Sequence, residues 1–197
     1  MINHKHQCIF IHLPRTGGSS IEIAIERSWW KVHPPSKHLN AFQAKQIYEP
    51  YWDDYFKFSF VRNPWDRMVS FLKYNIFYGV SLDSDGKINT EKYFQQFNKI
   101  EYDYRFFNQT QFKDFNIIEN SVYKNILGDD MDFVGRFENL QEDWDQVCDI
   151  LNIQKQNLPK SEESIGRKNY QEYYNENEKQ KVAKAYALDI DEYKYKF

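Results

Sequence analysis

Leu13-Pro14-Arg15-Thr16-Gly17-Gly18-Ser19-Ser20-Ile21-Glu22 gathers one cation, two glycines and three hydroxyl residues into a few consecutive positions. An apolar run, Cys8 to Leu13, precedes it, and an amphipathic segment carrying Ile21, Ile23, Ala24 and Ile25 follows. That order predicts a buried strand, a tight loop and a helix start. Such a loop aims backbone N–H groups, a positive helix end and a guanidinium at one point, which suits a phosphate or sulfate group. Two plainer readings stand beside it: Ser19 with Glu22 also matches a capping box, and glycine turns often bind nothing. The GxxxxGK[ST] spacing of a Walker A loop is missing.

A second such place follows. Phe56-Lys57-Phe58-Ser59-Phe60-Val61 alternates apolar and polar residues and runs into Arg62-Asn63-Pro64-Trp65-Asp66-Arg67. Asn63 fits a helix N-cap, Pro64 the first helical position and Asp66 an acidic first turn. The helix is expected to continue through Met68, Val69, Phe71, Leu72 and Ile76. Arg62 stands directly after the strand, and Ser70 lies two turns into the helix as either an anion ligand or an ordinary helix serine.

The elements that position these residues are read along all 197 residues, which suit one compact domain. Helices are expected from Gly18 to Trp30, Gln43 to Tyr48, Thr90 to Ile100, Leu140 to Leu151 and Glu176 to Ala187. Short strands are expected at Val122–Leu127 and Asp132–Phe137. Polar loops are expected at Ser81–Lys87 and Gln156–Gln171, an irregular stretch at Tyr102–Glu119, and an aromatic tail from Tyr193. Strands alternating with helices imply an α/β protein: three layers, P-loop-like, with a central mainly parallel sheet flanked by helices. Ligands of such sheets sit at the carboxyl ends of the strands, so both loops are expected to face one crevice.

Aromatic residues reach 18%, with 16 Phe and 15 Tyr, and are expected to fill the core. A formal net charge of −3 provides no basic field for nucleic acid. Cys8 and Cys148 make no disulfide framework, and no spacing suggests a metal site. With no signal peptide and no apolar run long enough to span a bilayer, a cytoplasmic setting is expected. Oligomeric state is not readable.

Taken together, FIHLPRTGGSSIE and FSFVRNPWDRMVSFL resemble the paired motifs of sulfotransferases that use 3′-phosphoadenosine 5′-phosphosulfate (PAPS). FVGRFENLQEDW and NYQEYYNENEKQKVAKAYALDI are similar to later blocks of the carbohydrate-type and bacterial branch, so the likeness runs from about Cys8 to Phe197 and implies a single sulfotransferase domain over residues 1–197. It implies sulfuryl transfer from PAPS to a hydroxyl, or secondarily an amine, of an acceptor such as a carbohydrate. Adenosine 3′,5′-bisphosphate (PAP) would be the second product, and no metal would be needed. By this resemblance Arg15, Thr16, Gly17, Gly18, Ser19 and Ser20 hold the 5′-phosphosulfate, with Arg15 also easing charge on the bridging oxygen. Arg62 and Ser70 match ligands of the 3′-phosphate. Arg167 and Lys168 stand where related enzymes close a basic loop, although a solvated pair reads equally well.

Removing the acceptor proton requires a base, and histidine is the usual one near neutral pH. Of the five histidines, His4 and His6 fall in a fraying tail, His12 reads as a core residue and His33 precedes a Pro-Pro break. His38 resembles the position from which carbohydrate-type sulfotransferases supply a catalytic histidine, with Glu22 and Glu49 as alternatives. Arg105 and Gln109 are candidate acceptor contacts. The competing functions are a P-loop-type kinase or NTPase and a non-catalytic PAP-binding protein.

Overall fold

The computed structural model describes residues 1–25, 38–74, 79–98, 118–159 and 167–197. Four strands form the main sheet in the order β1 (Ile2–Asn3), β2 (Cys8–Ile11), β3 (Phe56–Val61) and β6 (Phe133–Arg136). The β2–β3 and β3–β6 pairs are parallel, and β1 is an antiparallel edge. Phe10 lies opposite Phe58 and Phe58 opposite Phe133, so one aromatic row crosses the sheet. Cys8, Phe10, Phe58 and Phe60 pack with Ile21 and Ile25 of α1 (Gly18–Ile25) and with Trp144, Val147 and Cys148 of a later helix, Leu140–Leu151. Helices thus cover a mostly parallel sheet, as the strand–helix alternation leads one to expect.

The alternation within β3 does not mark a wet face. Lys57 and Ser59 are buried, as are Phe58 and Phe60 beside them. Lys57 Nζ donates to the carbonyls of Trp52 and Tyr55 and pairs with Asp132 at 3.0 Å, while Ser59 Oγ donates to Ile11 O. Both faces of a parallel strand are covered, and its polar residues persist because each finds a partner.

The chain divides into two compact units, Met1–Arg62 with Tyr123–Glu162, and Asn63–Val122 with Glu163–Phe197. The first holds the sheet, α1, α2 (Ala41–Ile47), α3 (Glu49–Trp52), α6 (Tyr123–Leu127) and α7 (Leu140–Leu151). The second holds α4 (Pro64–Ser70), a hairpin of β4 (Ser81–Leu82) and β5 (Ile88–Asn89), α5 (Glu91–Asn98), α8 (Glu176–Ala185) and α9 (Ala187–Tyr193).

Four expectations need correction. His4 and His6 lie in no fraying tail: β1 pairs with β2, the Met1 amine donates to Phe10 O at 2.7 Å, and His4 Nδ1 lies 2.9 Å from Tyr55 Oη. Val122–Leu127 is no strand: Tyr123–Leu127 is helical, and the Gly128 N–H returns to Lys124 O at 2.9 Å with φ +62. The glycine that reads as a turn after a strand is a left-handed helix C-cap. The polar loop Ser81–Lys87 is the tip of a hairpin, closed by Asp83 Oδ1 accepting from the Asp85 and Lys87 amides. The helix expected to run from Pro64 to Ile76 leaves α-geometry after Ser70 and tightens to a 3-10 turn at Phe71–Tyr74. There Ser70 Oγ donates back to Arg67 O at 2.6 Å, the bond by which serine competes with the helical ladder. The expected far ends of the first helix and of the helix near Ile100, position 76 of the expected second helix, and positions 102–117 of the irregular stretch fall outside the described residues, as do parts of the other loops.

Candidate active site

The loop after β2 is built from the inside outward. Thr16 Oγ1 donates to Leu13 O at 2.9 Å, closing the turn, so its proton is directed inward. Arg15 adopts φ +70, a left-handed conformation that costs a non-glycine residue about 1–3 kcal/mol and that the surrounding contacts must hold. Gly17 (φ +84) and Gly18 are required by packing behind the loop. A Cβ on Gly17 would stand 2.6 Å from Leu140 Cδ2, and one on Gly18 would stand 2.3 Å from His12 Nε2. The Gly17 carbonyl accepts from the Ser20 and Ile21 amides, which starts α1. Ser20 is buried and Ser19 half-buried in that first turn.

Because β2 and β3 are parallel neighbours, the residues following each emerge at the same sheet edge. Arg62 makes use of this: its Nη1 donates to Arg15 O at 3.1 Å, and its guanidinium lies 3.8 Å from the centre of the Phe137 ring. Only 7% of Arg62 is exposed. Tyr123 Oη donates to Arg62 O and holds the backbone there. The Pro14–Ser20 loop and Arg62 are therefore one structural piece, with two guanidiniums in it.

His38 joins the same piece. Its Nδ1 lies 3.2 Å from the backbone oxygen of His12, and the two imidazole rings meet edge-on with centroids 4.7 Å apart. His12 is buried, stacked on Phe10 and bonded through Nδ1 to Glu22 Oε1 at 2.8 Å. Glu22 thus does not form the capping box with Ser19; its carboxylate is turned into the protein, at 0% exposure. Glu49, the other carboxylate alternative, is exposed in the first turn of α3.

Within the second unit, Asn63 Oδ1 accepts from the Trp65 and Asp66 amides and Pro64 opens the helix, as the sequence predicts. Arg67 is fully buried. Its Nη1 donates to Tyr186 Oη at 2.7 Å and Tyr93 Oη at 3.2 Å, and the guanidinium covers Phe71. Arg167 pairs with the Asp66 carboxylate and also donates to Asp66 O. Lys168 is exposed, and Ser70 is buried with its hydroxyl on Arg67 O. Arg105 and Gln109 fall outside the described residues.

Sequence reasoning missed four contributors: His12 and Glu22 as a bonded pair, Phe137 beneath Arg62, and Leu140 behind Gly17. Only the ten-residue spacing of His12 and Glu22 across a strand–loop–helix carried a signal, since both ends of such a unit return to one place. Phe137 and Leu140 are remote in sequence and arrive through the β3–β6 pairing.

The sulfotransferase family profile matches residues 1–196, and the chain belongs to that family. No curated protein and no solved structure matches it. Membership makes it a transferase of the sulfuryl class. Among the described residues, no helix is long and apolar enough to cross a membrane, and no cluster of His, Cys, Asp and Glu is arranged to hold a metal ion.

Proposed function

We propose that the chain is a PAPS-dependent sulfotransferase, acting as one domain, that passes the sulfuryl group to a hydroxyl of an acceptor such as a carbohydrate. The observation that carries this reading is the union, within the first unit, of the Pro14–Ser20 loop, the Arg62 guanidinium and the His38 imidazole. An anion loop with two cations and an adjacent base is the set of groups that sulfuryl transfer needs. Against phosphoryl transfer by a P-loop kinase or NTPase count the missing GK[ST] and the want of a clear Walker B acid in an apolar strand.

Arg15 and the α1 amide groups take the 5′-phosphosulfate. Arg15 offsets the negative charge that grows on the bridging oxygen as the S–O bond breaks, the point at which a fixed cation lowers the barrier. His38 removes the acceptor proton through Nε2 while the acceptor oxygen bonds to sulfur. The bridging oxygen keeps the electron pair, and PAP leaves as the second product. Arg62 and Ser70 serve the 3′-phosphate, with Ser70 turning its hydroxyl from Arg67 O to do so. Arg167 and Lys168 are assigned to the same phosphate, and for Arg167 that requires exchange of Asp66 for the nucleotide.

His38→Ala tests the reading. Transfer from labelled PAPS to a panel of hydroxyl and amine acceptors should fall at least about 100-fold, in line with loss of a general base. PAP affinity, measured by calorimetry, should stay within about twofold of wild type. A His38→Ala enzyme that transfers at the wild-type rate removes His38 from the mechanism.

A further inference from the structure

His12 sits between the two groups whose separation sulfuryl transfer must control. One edge of its ring, Nε2 and Cδ2, fills the space where a Cβ of Gly18 would be, at 2.3 Å from that position. Its backbone oxygen lies 3.2 Å from His38 Nδ1. Its own Nδ1 donates to the buried Glu22 carboxylate at 2.8 Å, and Phe10 stacks on its face with centroids 5.6 Å apart. One residue thus meets the anion loop, a carboxylate and an aromatic ring through its imidazole and bonds the base through its backbone oxygen.

The chemistry of the His12–His38 contact is one-sided. A backbone carbonyl only accepts, so His38 Nδ1 must be the donor. A neutral His38 held this way carries its proton on Nδ1 and its lone pair on Nε2, the atom a general base uses. When Nε2 takes the acceptor proton, the imidazolium keeps the same Nδ1–H bond, and a bond from a charged donor is the stronger one. No rearrangement accompanies the proton transfer.

We propose that His12 and Glu22 are positioning residues for His38: the buried Glu22–His12 pair fixes the carbonyl that selects the Nδ1–H tautomer of the base and spaces that base from the Gly17–Gly18 loop. This rests on His38 being the base. Glu22 is buried, its Oε1 is engaged by His12 Nδ1, and its charge is also felt by the buried Met1 amine, so its path to His38 runs through His12. Histidine is needed at position 12 because a planar ring presenting Nδ1 to Glu22 and an edge to Gly18 fills both demands, and its main chain is then held where β2 ends.

Nitrogen NMR of histidine side chains in the full chain with PAP bound tests the tautomer directly. The His38 signals are identified by their loss in His38→Ala. Above the titration of the ring, Nδ1 should be the protonated nitrogen; a protonated Nε2 overturns the proposal. In Glu22→Gln the His38 tautomers should become mixed, kcat should fall at least about tenfold, and the acid limb of the kcat–pH profile should move. The donor KM and PAP affinity should stay within about twofold. Glu22→Gln with wild-type kcat, pH profile and tautomer also overturns it. Should that variant fail to fold, the wild-type spectrum alone decides. A His38→Ala enzyme at full rate defeats the base assignment, whereas protonated Nε2 in an enzyme that His38→Ala inactivates defeats only the role of His12 and Glu22.

Discussion

The two strand-to-helix passages in this chain look alike in sequence and are built in opposite ways. At the second, after β3, Asn63 caps the Trp65 and Asp66 amides, Pro64 brings no N–H, and Asp66 places a carboxylate in the first turn. The donors that would greet an anion are occupied or missing, and the local charge opposes it. At the first, after β2, the turn is closed from behind by Thr16 on Leu13 O, by Leu140 against Gly17 and by His12 against Gly18. Its first helical turn carries no acid. A helix start becomes an anion site only when its own side chains leave its amides available. At the second passage the nucleotide contacts proposed above are accordingly side chains, Arg62 and Ser70, rather than the amides of the helix end.

The arginines divide the same way. Arg15 and Arg62 are bound to the loop itself. Arg67, in the second passage, is enclosed with Tyr93 and Tyr186 and works as a structural post.

The largest effect should come from breaking the first passage. Gly18→Ala puts a methyl group 2.3 Å from the rigid, bonded His12 ring. Loss of about 3 kcal/mol in urea unfolding is expected, at the upper end for overpacking, together with at least about tenfold weaker PAP binding as the loop shifts. A variant with wild-type stability and affinity would show that the loop is not braced by His12. Arg67→Met should cost about 2–3 kcal/mol by the same measurement, because two buried tyrosine hydroxyls lose their donor. PAP affinity per folded molecule should barely change, and a large loss would move Arg67 from post to ligand.

Asn63→Ala should cost about 1 kcal/mol, the usual value of a lost N-cap, with no gain in nucleotide affinity. Tighter PAP binding in that variant would mean that the capped amides compete for the nucleotide after all. The smallest effect concerns the dry core beneath the first passage. Burial pushes the Cys8 thiol up to about 12 and the Cys148 thiol up to about 11. Neither should react with an alkylating reagent at pH 8 until the protein unfolds. Because both thiols hold their protons more tightly when folded, their contribution is complete below the ordinary thiol range. It declines as pH rises from about 9 toward those values. Rapid alkylation of native protein would place that core in contact with water.

Much of the fold was legible because its signals are local. The β3 span, the Asn63 cap and the Leu140–Leu151 helix follow from periodicity and capping chemistry within a few residues of each other. Tyr123–Leu127 was not legible as a helix, since its glycine end-signal serves turns and C-caps alike and its burial comes from elsewhere in the chain. The Glu22 carboxylate misleads for a related reason: its three-residue spacing from Ser19 fits a capping box, but a buried imidazole is the stronger partner.

By itself the sequence determined which residues bring charge, hydroxyl and imidazole groups to the chain, the order strand–loop–helix around Arg15, and membership in the sulfotransferase family. Those are properties of neighbours along the chain. The tertiary structure decided what each side chain has left to offer. Parallel pairing of β2 with β3 set Arg62 on the Arg15 carbonyl, the return of α1 set Glu22 on His12, and the chain after residue 37 set His38 on the His12 carbonyl. Hydrogen-bond partners remote in sequence set what faces each imidazole nitrogen and which cation is already engaged, and no spacing along the chain records them.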